Sequence, residues 1–125
     1  MNNIVFFIKT SILSSLLSSI ITTPLFVFGT YDANIDIEPF ISMMLPVFIP
    51  SFAVILVFTI LFAVPTHILL NRNNNFNIKN MMLIGALTAL TIDLFYIVFG
   101  IINYPLFSFF GIIHSWIYWT IAKRK

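Results

Sequence analysis

Four long apolar stretches dominate this sequence, and each is long enough to cross a lipid bilayer as a helix. A hydrocarbon core of about 30 Å requires roughly 20 helical residues. Because 60% of the residues are hydrophobic and only 8% are charged, there are too few polar side chains to cover a soluble surface. We therefore predict an all-α integral membrane four-helix bundle that forms a single transmembrane domain over residues 1–125. The predicted spans cover residues 6–28, 50–70, 81–102 and 105–122.

The breaks between these stretches have chemical causes. Residues 29–38 are polar and acidic, and residues 71–80 are rich in asparagine. The third break is Asn103-Tyr104-Pro105, where proline suits the first turn of a new helix. Because this break is so short, we predict that segments three and four form a tight antiparallel hairpin.

The placement of charge predicts which helix ends face the cytoplasm. The cations lie near the N-terminus, in the break between segments two and three, and in the C-terminal tail. Positive charge is retained on the cytoplasmic side, so both termini are predicted to be cytoplasmic and the acidic break to face outward. The short chain and this charge bias indicate the bacterial cytoplasmic (inner) membrane. The cations are Lys9, Arg72, Lys79, Lys123, Arg124 and Lys125.

Two parts of this topology have alternatives. Residues 1–28 resemble a cleaved signal peptide in having a lysine before an apolar run, but the run is too long and lacks an Ala-x-Ala-like exit, so we interpret it as a membrane helix. The second segment is apolar from residue 40 onward. Residues 40–49, with Pro46 and Pro50, belong either to one long kinked helix or to a separate interfacial segment. The sequence leaves both open.

Small hydroxyl side chains recur along the first segment. Their spacings of three, four and seven residues place them on one face of a helix. Such residues let a neighbouring helix approach closely and hydrogen-bond across the gap. We interpret this face as a helix-packing surface, directed either at the rest of this protein or at a partner. Its members are Ser11, Ser14, Ser15, Ser18, Ser19, Thr22 and Thr23.

Asp93 lies inside the third apolar segment. A carboxylate at the centre of a membrane helix costs about 3 kcal/mol on the insertion scale. The twelve Leu, Ile, Phe and Val residues between Met81 and Ile102 outweigh this cost, at roughly −0.3 to −0.6 kcal/mol each. The side chains on the same helix face as Asp93 are mostly small or polar, which suits the interior of a bundle. This seam comprises Gly85, Ala89, Tyr96, Gly100 and Asn103.

His114 is the predicted partner of Asp93. The two residues are about equally far from the break at residues 103–104, so a tight hairpin would place them at the same depth, near the bilayer midplane. We expect a hydrogen bond or an ion pair between them, and the sequence leaves the protonation state of Asp93 open. The pair either fixes the packing or handles protons or cations. The face of His114 carries its own seam of Gly111, Ser115, Tyr118 and Ala122.

Other chemistries find little support. The chain has no cysteine, which excludes thiolate metal sites and cysteine nucleophiles. His67 lies near the cationic end of its helix, where a surface or helix-end histidine is expected. The alternating acids of residues 32–38 fail as a calcium loop, because Ile37 and Met43 replace the required Gly and Glu. The cations are too scattered for nucleic-acid binding. We expect no catalytic residue, metal or cofactor.

These features support two hypotheses about function. The first is a small polytopic inner-membrane protein that acts non-enzymatically, through intramembrane helix packing with a partner membrane protein, as an accessory, regulatory, immunity or exclusion factor. The alternative is an oligomeric proton- or cation-linked transporter or channel that uses the Asp93/His114 pair. It requires several copies, because four short helices rarely enclose a pathway alone. The expected partners are the lipid bilayer and either a membrane protein or further copies of this chain.

Overall fold

Helices make up all of the regular structure in the described part of the chain, which confirms the predicted all-helical class. The computed structural model describes residues 2–30, 37–100 and 106–123. Three features of the sequence analysis lie outside these ranges. They are Asp32 and Asp36 of the acidic break, the break at 103–105, and the last two cations. The helices are α1 (Asn2–Thr30), α2 (Ile37–Phe58), which continues through a π-helical turn (Thr59–Ala63) into α3 (Val64–Arg72), α4 (Ile78–Val98) and α5 (Leu106–Ala122).

Three of the described helices are long and apolar enough to cross a membrane, so the chain is an integral membrane protein. They are Asn3–Val27, Ile41–Arg72 and Ile78–Val98. The fourth apolar helix is shorter, because α5 has 17 residues and extends about 25 Å at 1.5 Å per residue.

The second segment is one continuous helix and not a span preceded by a separate interfacial piece. Helical structure runs without interruption from Ile37 to Arg72 and passes through Pro46 and Pro50. The regular pattern changes only at the π-helical turn, where the N–H of Val64 bonds the carbonyl of Thr59. The next residue, Pro65, has no N–H, so the helical ladder cannot continue normally at this point.

The ends of α4 have local explanations. Asn77 caps the N-terminus, because its side chain accepts a hydrogen bond from the N–H of Asn80 at 2.9 Å. At the other end the helix stops at Val98, four residues before the predicted end at residue 102. Gly100 has a φ of +68°, a conformation that terminates helices and that glycine adopts without steric cost.

The interior of the molecule is polar and its surface is apolar, the reverse of a soluble protein. Among the described residues, twelve of the buried side chains are polar or charged and six are apolar. Large aliphatic side chains instead cover the outside, including Ile8, Leu45 and Leu83. Hydrocarbon surroundings account for this pattern, since apolar side chains lose nothing by facing lipid and polar ones need internal partners.

Helix packing centres on α1 and α5. α1 packs against both α2 and α5, and α4 packs against α5. A small apolar core formed by Met81, Tyr118 and Ala122 joins α4 to α5. Hydroxyl, glycine and alanine residues make further contacts between the helices.

Candidate functional site

The hydroxyl face of α1 is turned into the bundle. All seven of its predicted members are buried, and so is Thr10, which lies four residues before Ser14 on the same face. Two of the serines bond backbone carbonyls of their own helix, Ser14 to Ser11 and Ser19 to Ser15. The others are available for contacts between helices. The packing face that the sequence predicts therefore lies against other helices of this chain.

Four side chains from three helical segments form one buried polar cluster: Ser15, Ser18, Thr59 and His114. Thr59 Oγ1 lies 3.0 Å from Ser15 Oγ and 2.8 Å from His114 Nε2. His114 Nδ1 lies 2.7 Å from Ser18 Oγ. Each of these three bonds joins a different pair among α1, the π-helical turn and α5.

The positions of the hydrogens in the polar cluster follow from the Thr59 hydroxyl, which can donate only one hydrogen bond. This hydroxyl donates to the carbonyl of Ile55 at 2.6 Å, so Thr59 Oγ1 can only accept from Ser15 and His114. The His114 hydrogen therefore lies on Nε2, and Nδ1 accepts from Ser18. With a neutral imidazole every hydrogen of the cluster has an acceptor, so the arrangement is complete as a structural network.

Asp93 binds the start of α5. Its Oδ1 accepts the backbone N–H of Phe107 at 2.8 Å, and its Oδ2 accepts the N–H of Ser108 at 2.6 Å and the Ser108 hydroxyl at 2.5 Å. The N–H groups of a first helical turn have no partner within their own helix and carry partial positive charge. A fully buried carboxylate supplied by α4 satisfies two of them at once.

The predicted hydrogen bond between Asp93 and His114 is not among those of the described residues, and each side chain has other partners. Asp93 lies beside the first turn of α5, whereas His114 is seven residues beyond Phe107, or about 10 Å further along the helix. The physical reason is the connection. α4 ends at Val98 and not at residue 102, which shifts the pairing of the two helices relative to a minimal turn.

Glycine permits close contact between α4 and α5. A Cβ added to Gly85 would lie 2.8 Å from the carbonyl oxygen of Gly111 and would overlap Ser115 Oγ. A Cβ added to Gly111 would lie 2.6 Å from the Gly85 carbonyl oxygen and 2.8 Å from the Ala89 side chain. The pairs Gly85/Ala89 and Gly111/Ser115 are each spaced by four residues, the small-residue spacing of close membrane helix contacts.

The other two members of the predicted seam that the structure describes, Tyr96 and Gly100, lie elsewhere. Tyr96 contacts the start of α5 through the ring of Phe107, with ring centroids 5.4 Å apart. Gly100 does not belong to the packing face, because it is exposed and an added Cβ would meet nothing within 4 Å. Helical periodicity ends before it. Asn103 lies outside the described residues.

A lateral groove opens between α2 and α4, with α5 as its floor. Its volume is about 340 Å³. Gly111, His114 and Ser115 line the floor, and Gly85 and Ala89 line the side formed by α4. The remaining lining is predominantly apolar, from Val54, Ile55, Phe58, Phe62, Ala63, Thr66, Met81, Ile84, Thr88, Ile92, Tyr96, Phe107 and Phe110, with Thr22 from α1.

His67 is buried and not at the surface, contrary to the expectation from its position near a helix end. Its ring stacks on Phe76 at 4.1 Å, and Phe6 and Phe7 meet it edge-on. Its Nδ1 lies 3.2 Å from the hydroxyl of Tyr118. Only the fold brings these residues together, since they come from α1, α3, α5 and the segment before α4.

A second cavity, of about 680 Å³, lies beside this aromatic group at one end of the bundle. We call it the basic cavity, because its lining includes two cations, Arg72 and Lys123, with Asn3, Asn71 and His67. Ile68, Ala122 and the rings of Phe6, Phe7 and Phe76 complete the wall. Lys123 lies over the ring of Trp119, with Nζ 4.1 Å from the ring centroid.

Thr59 and Ser108 are the polar residues of the site that the sequence analysis did not single out. Thr59 had a usable signal, because it is an isolated hydroxyl in a strongly apolar run. Ser108 had less, since its role depends on the pairing of α4 with α5. Within residues 2–30, 37–100 and 106–123, no three His, Asp or Glu side chains converge closely enough to hold a metal ion.

No protein-family model matches this sequence, and neither a curated protein nor a solved structure is significantly similar to it.

Proposed function

We propose that this protein acts without catalysis, by receiving a transmembrane helix of another membrane protein in the lateral groove between α2 and α4. The groove is the observation that carries the proposal. Its wall is predominantly apolar and opens laterally between α2 and α4. In lipid, van der Waals packing drives helix association, and the side chains of an entering helix can pack against such a wall. An accessory, regulatory, immunity or exclusion role is the class of activity that such binding serves.

The exposure of α2 supports an external partner. In the most apolar 18-residue stretch of Ile41–Arg72, only 6% of the residues are buried within this chain. The corresponding share for Asn3–Val27 is 33%. α2 packs on α1, and the groove separates it from α4. The helix that is least covered by its own chain thus forms one complete wall of the groove.

The proposed topology has both termini on the cytoplasmic side of a bacterial inner membrane, with α4 and α5 as an antiparallel hairpin. Asn3 and Lys123 line the same cavity, which supports placing the two ends of the chain on one side. The order of contacts supports the hairpin, because Gly85 meets Ser115 while Asp93 meets Phe107. The cations Lys9, Arg72, Lys79 and Lys123 motivate the cytoplasmic assignment.

The transporter alternative has weaker support. It depended on a coupled Asp93/His114 pair, and both side chains have their hydrogen bonds with other residues. In the described structure Asp93 caps a helix and His114 completes a hydroxyl network. Both arrangements bring helices together.

Thr88→Phe tests the proposal by filling the groove. Thr88 lines it, and its hydroxyl bonds only the Ile84 carbonyl of its own helix. The matched control is Leu87→Phe, which adds an aromatic ring one residue away on the lipid-facing surface. The tagged protein is expressed at native level and isolated in mild detergent, and the mass and composition of its complex are measured for the unmodified chain and both variants.

We expect a stoichiometric membrane protein to accompany the unmodified chain and the Leu87→Phe variant but not Thr88→Phe. Thermal unfolding of each purified variant checks that the bundle is intact. Isolation of a homo-oligomer without a foreign protein would overturn the proposal and favour the transporter alternative. Equal retention of the partner by both variants would also overturn it, because the partner would then bind elsewhere.

A further inference from the structure

The basic cavity has the composition of a site for an anionic group. Arg72 and Lys123 each supply a cation, and Asn3 and Asn71 supply amide donors. Neither cation has an ion-pair partner among the described residues. The described acids are remote: Glu38 opens α2, 34 residues before Arg72, and Asp93 binds the opposite end of α5 from Lys123.

The wall of the cavity is closely packed on its inner side. His67 is buried between Phe76 and the edges of Phe6 and Phe7, and Tyr118 contacts its Nδ1. On the outer side, the contact of Lys123 with Trp119 keeps the ammonium near the surface of the bundle. The two exposed cations therefore border a space that the fold already forms, and Lys123 is also positioned by its contact with Trp119.

The position of the cavity identifies the source of the anion. It lies where α3 and α5 end, at Arg72 and Ala122, and where α1 begins. Helices that cross a bilayer end at the level of the lipid headgroups. A headgroup phosphate at this level contacts cations and amides while its acyl chains remain beside the apolar outer surface of the bundle.

We propose that the basic cavity binds the phosphate headgroup of one anionic phospholipid, with Arg72 and Lys123 as its charged ligands and Asn3 and Asn71 as neutral donors. The lipid bridges the ends of α1, α3 and α5 from outside. This site is independent of the lateral groove, because the two cavities share no lining residue.

The test compares two double variants with the same loss of charge. Arg72→Gln/Lys123→Gln removes both cations of the cavity, and Lys9→Gln/Lys79→Gln removes two exposed cations that do not line it. Each protein is purified from bilayers that contain phosphatidylglycerol and phosphatidylcholine, and retained lipid is identified by native mass spectrometry. A second series adds inorganic phosphate as a soluble competitor.

We expect one phosphatidylglycerol per chain in the unmodified protein and the Lys9/Lys79 variant. In the Arg72/Lys123 variant the affinity for phosphatidylglycerol should fall about 30-fold. This decrease assumes that each lost cation contributes roughly 1 kcal/mol near an anionic surface. If both double variants lose phosphatidylglycerol equally, the lipid is held by the general surface charge and the proposal is wrong. Equal retention of phosphatidylcholine would overturn it as well. Displacement by inorganic phosphate would assign the cavity to a free anion instead.

A second pair of variants separates the cavity from its charge. Ile68→Trp places a larger side chain in the wall of the cavity and leaves both cations in place, whereas Leu69→Trp adds the same side chain outside it. Loss of the bound lipid in Ile68→Trp alone is the expected result. If Ile68→Trp retains the lipid, the headgroup does not occupy this cavity and the proposal is wrong, even if the charge variants behave as expected.

Discussion

Asp93 illustrates how a charged residue is accommodated in a membrane bundle. Its carboxylate receives two backbone N–H groups and one hydroxyl from the first turn of α5. The positive end of the α5 dipole lies at the same point. This arrangement ties α4 to α5 and accounts for the buried acid without any role in transport.

Replacing Asp93 by alanine should destabilise the bundle strongly. The change leaves three partly buried donors at Phe107 and Ser108 without their acceptor, at a cost of about 1 to 3 kcal/mol for each unsatisfied group that water cannot reach. Asp93→Asn retains one acceptor oxygen and should cost less. Reversible unfolding in mixed micelles measures both.

Thr91→Ala is the matched control for Asp93→Ala. Thr91 is exposed two residues away on the same helix, and its hydroxyl bonds only the carbonyl of Thr88. An unfolding free energy of Asp93→Ala equal to that of Thr91→Ala would contradict the capping role. If Asp93→Asn folds normally but abolishes a measured proton or cation flux, the transporter alternative gains its first direct support.

At the scale of elements, the contact between α4 and α5 depends on the absence of side chains. Gly85 and Gly111 approach so closely that each backbone carbonyl occupies the space of the other residue's Cβ. The sequence predicted a small seam on each helix, and the observed contact uses Gly85, Ala89, Gly111 and Ser115. The alignment of the seams depends on where α4 ends, which helical periodicity does not reveal.

Gly111→Ala should therefore separate α4 from α5. The added methyl group would lie 2.6 Å from a backbone oxygen that cannot move independently of its helix. We expect a loss of about 1 to 3 kcal/mol in unfolding free energy, the range for overpacked cores. The same unfolding assay in mixed micelles measures it.

Gly100→Ala distinguishes crowding from backbone effects. An added methyl at Gly100 meets no atom within 4 Å, but its φ of +68° disfavours alanine by about 1 to 2 kcal/mol. A cysteine placed on each helix then reports separation directly. The interpretation fails if Gly111→Ala leaves the crosslinking between cysteines at positions 96 and 107, where α4 and α5 also meet, unchanged, whatever its effect on stability.

For the whole molecule, lipid replaces water as the solvent of the surface. The buried side chains of the described residues are mostly hydroxyl, carboxyl and imidazole groups, and nearly all have partners within the bundle. Three buried polar atoms, in Ser11, Thr23 and Trp119, have none in the described structure. Cross-helix hydrogen bonds average about 0.6 kcal/mol in membranes, so the polar cluster specifies the arrangement of helices more than it adds stability.

Sidedness is testable because the chain has no cysteine, so each introduced thiol is unique. Cysteines at the exposed positions Asn3 and Lys123 should react with a membrane-impermeant maleimide only after the cytoplasmic side is opened. A cysteine at the exposed Glu38 should react in intact cells. The reason is the retention of positive charge on the cytoplasmic side.

Opposite labelling of positions 3 and 123 would contradict the shared cavity that joins the two ends of the chain. Labelling of both in intact cells would keep the bundle but invert it. A denatured sample labelled in parallel provides the control for thiol reactivity, because a cysteine within the bundle can fail to react for reasons other than its side of the membrane.

The sequence by itself determined the class of this protein. Apolar runs of about 20 residues require a membrane and helical structure, because every backbone polar group must be satisfied within its own segment. The same local logic identified the hydroxyl face of α1, the isolated acid and the small-residue seams. These features depend only on residue spacing along one helix, and that spacing is known from the sequence.

The tertiary structure alone decided which of these features meet. Asp93 binds the start of α5 and not His114, and His114 joins Ser18 and Thr59. His67 is buried by residues distant in sequence. Such pairings depend on where each helix ends and on its rotation against its neighbours. A shift of seven residues along a helix is about 10 Å, enough to exchange one partner for another.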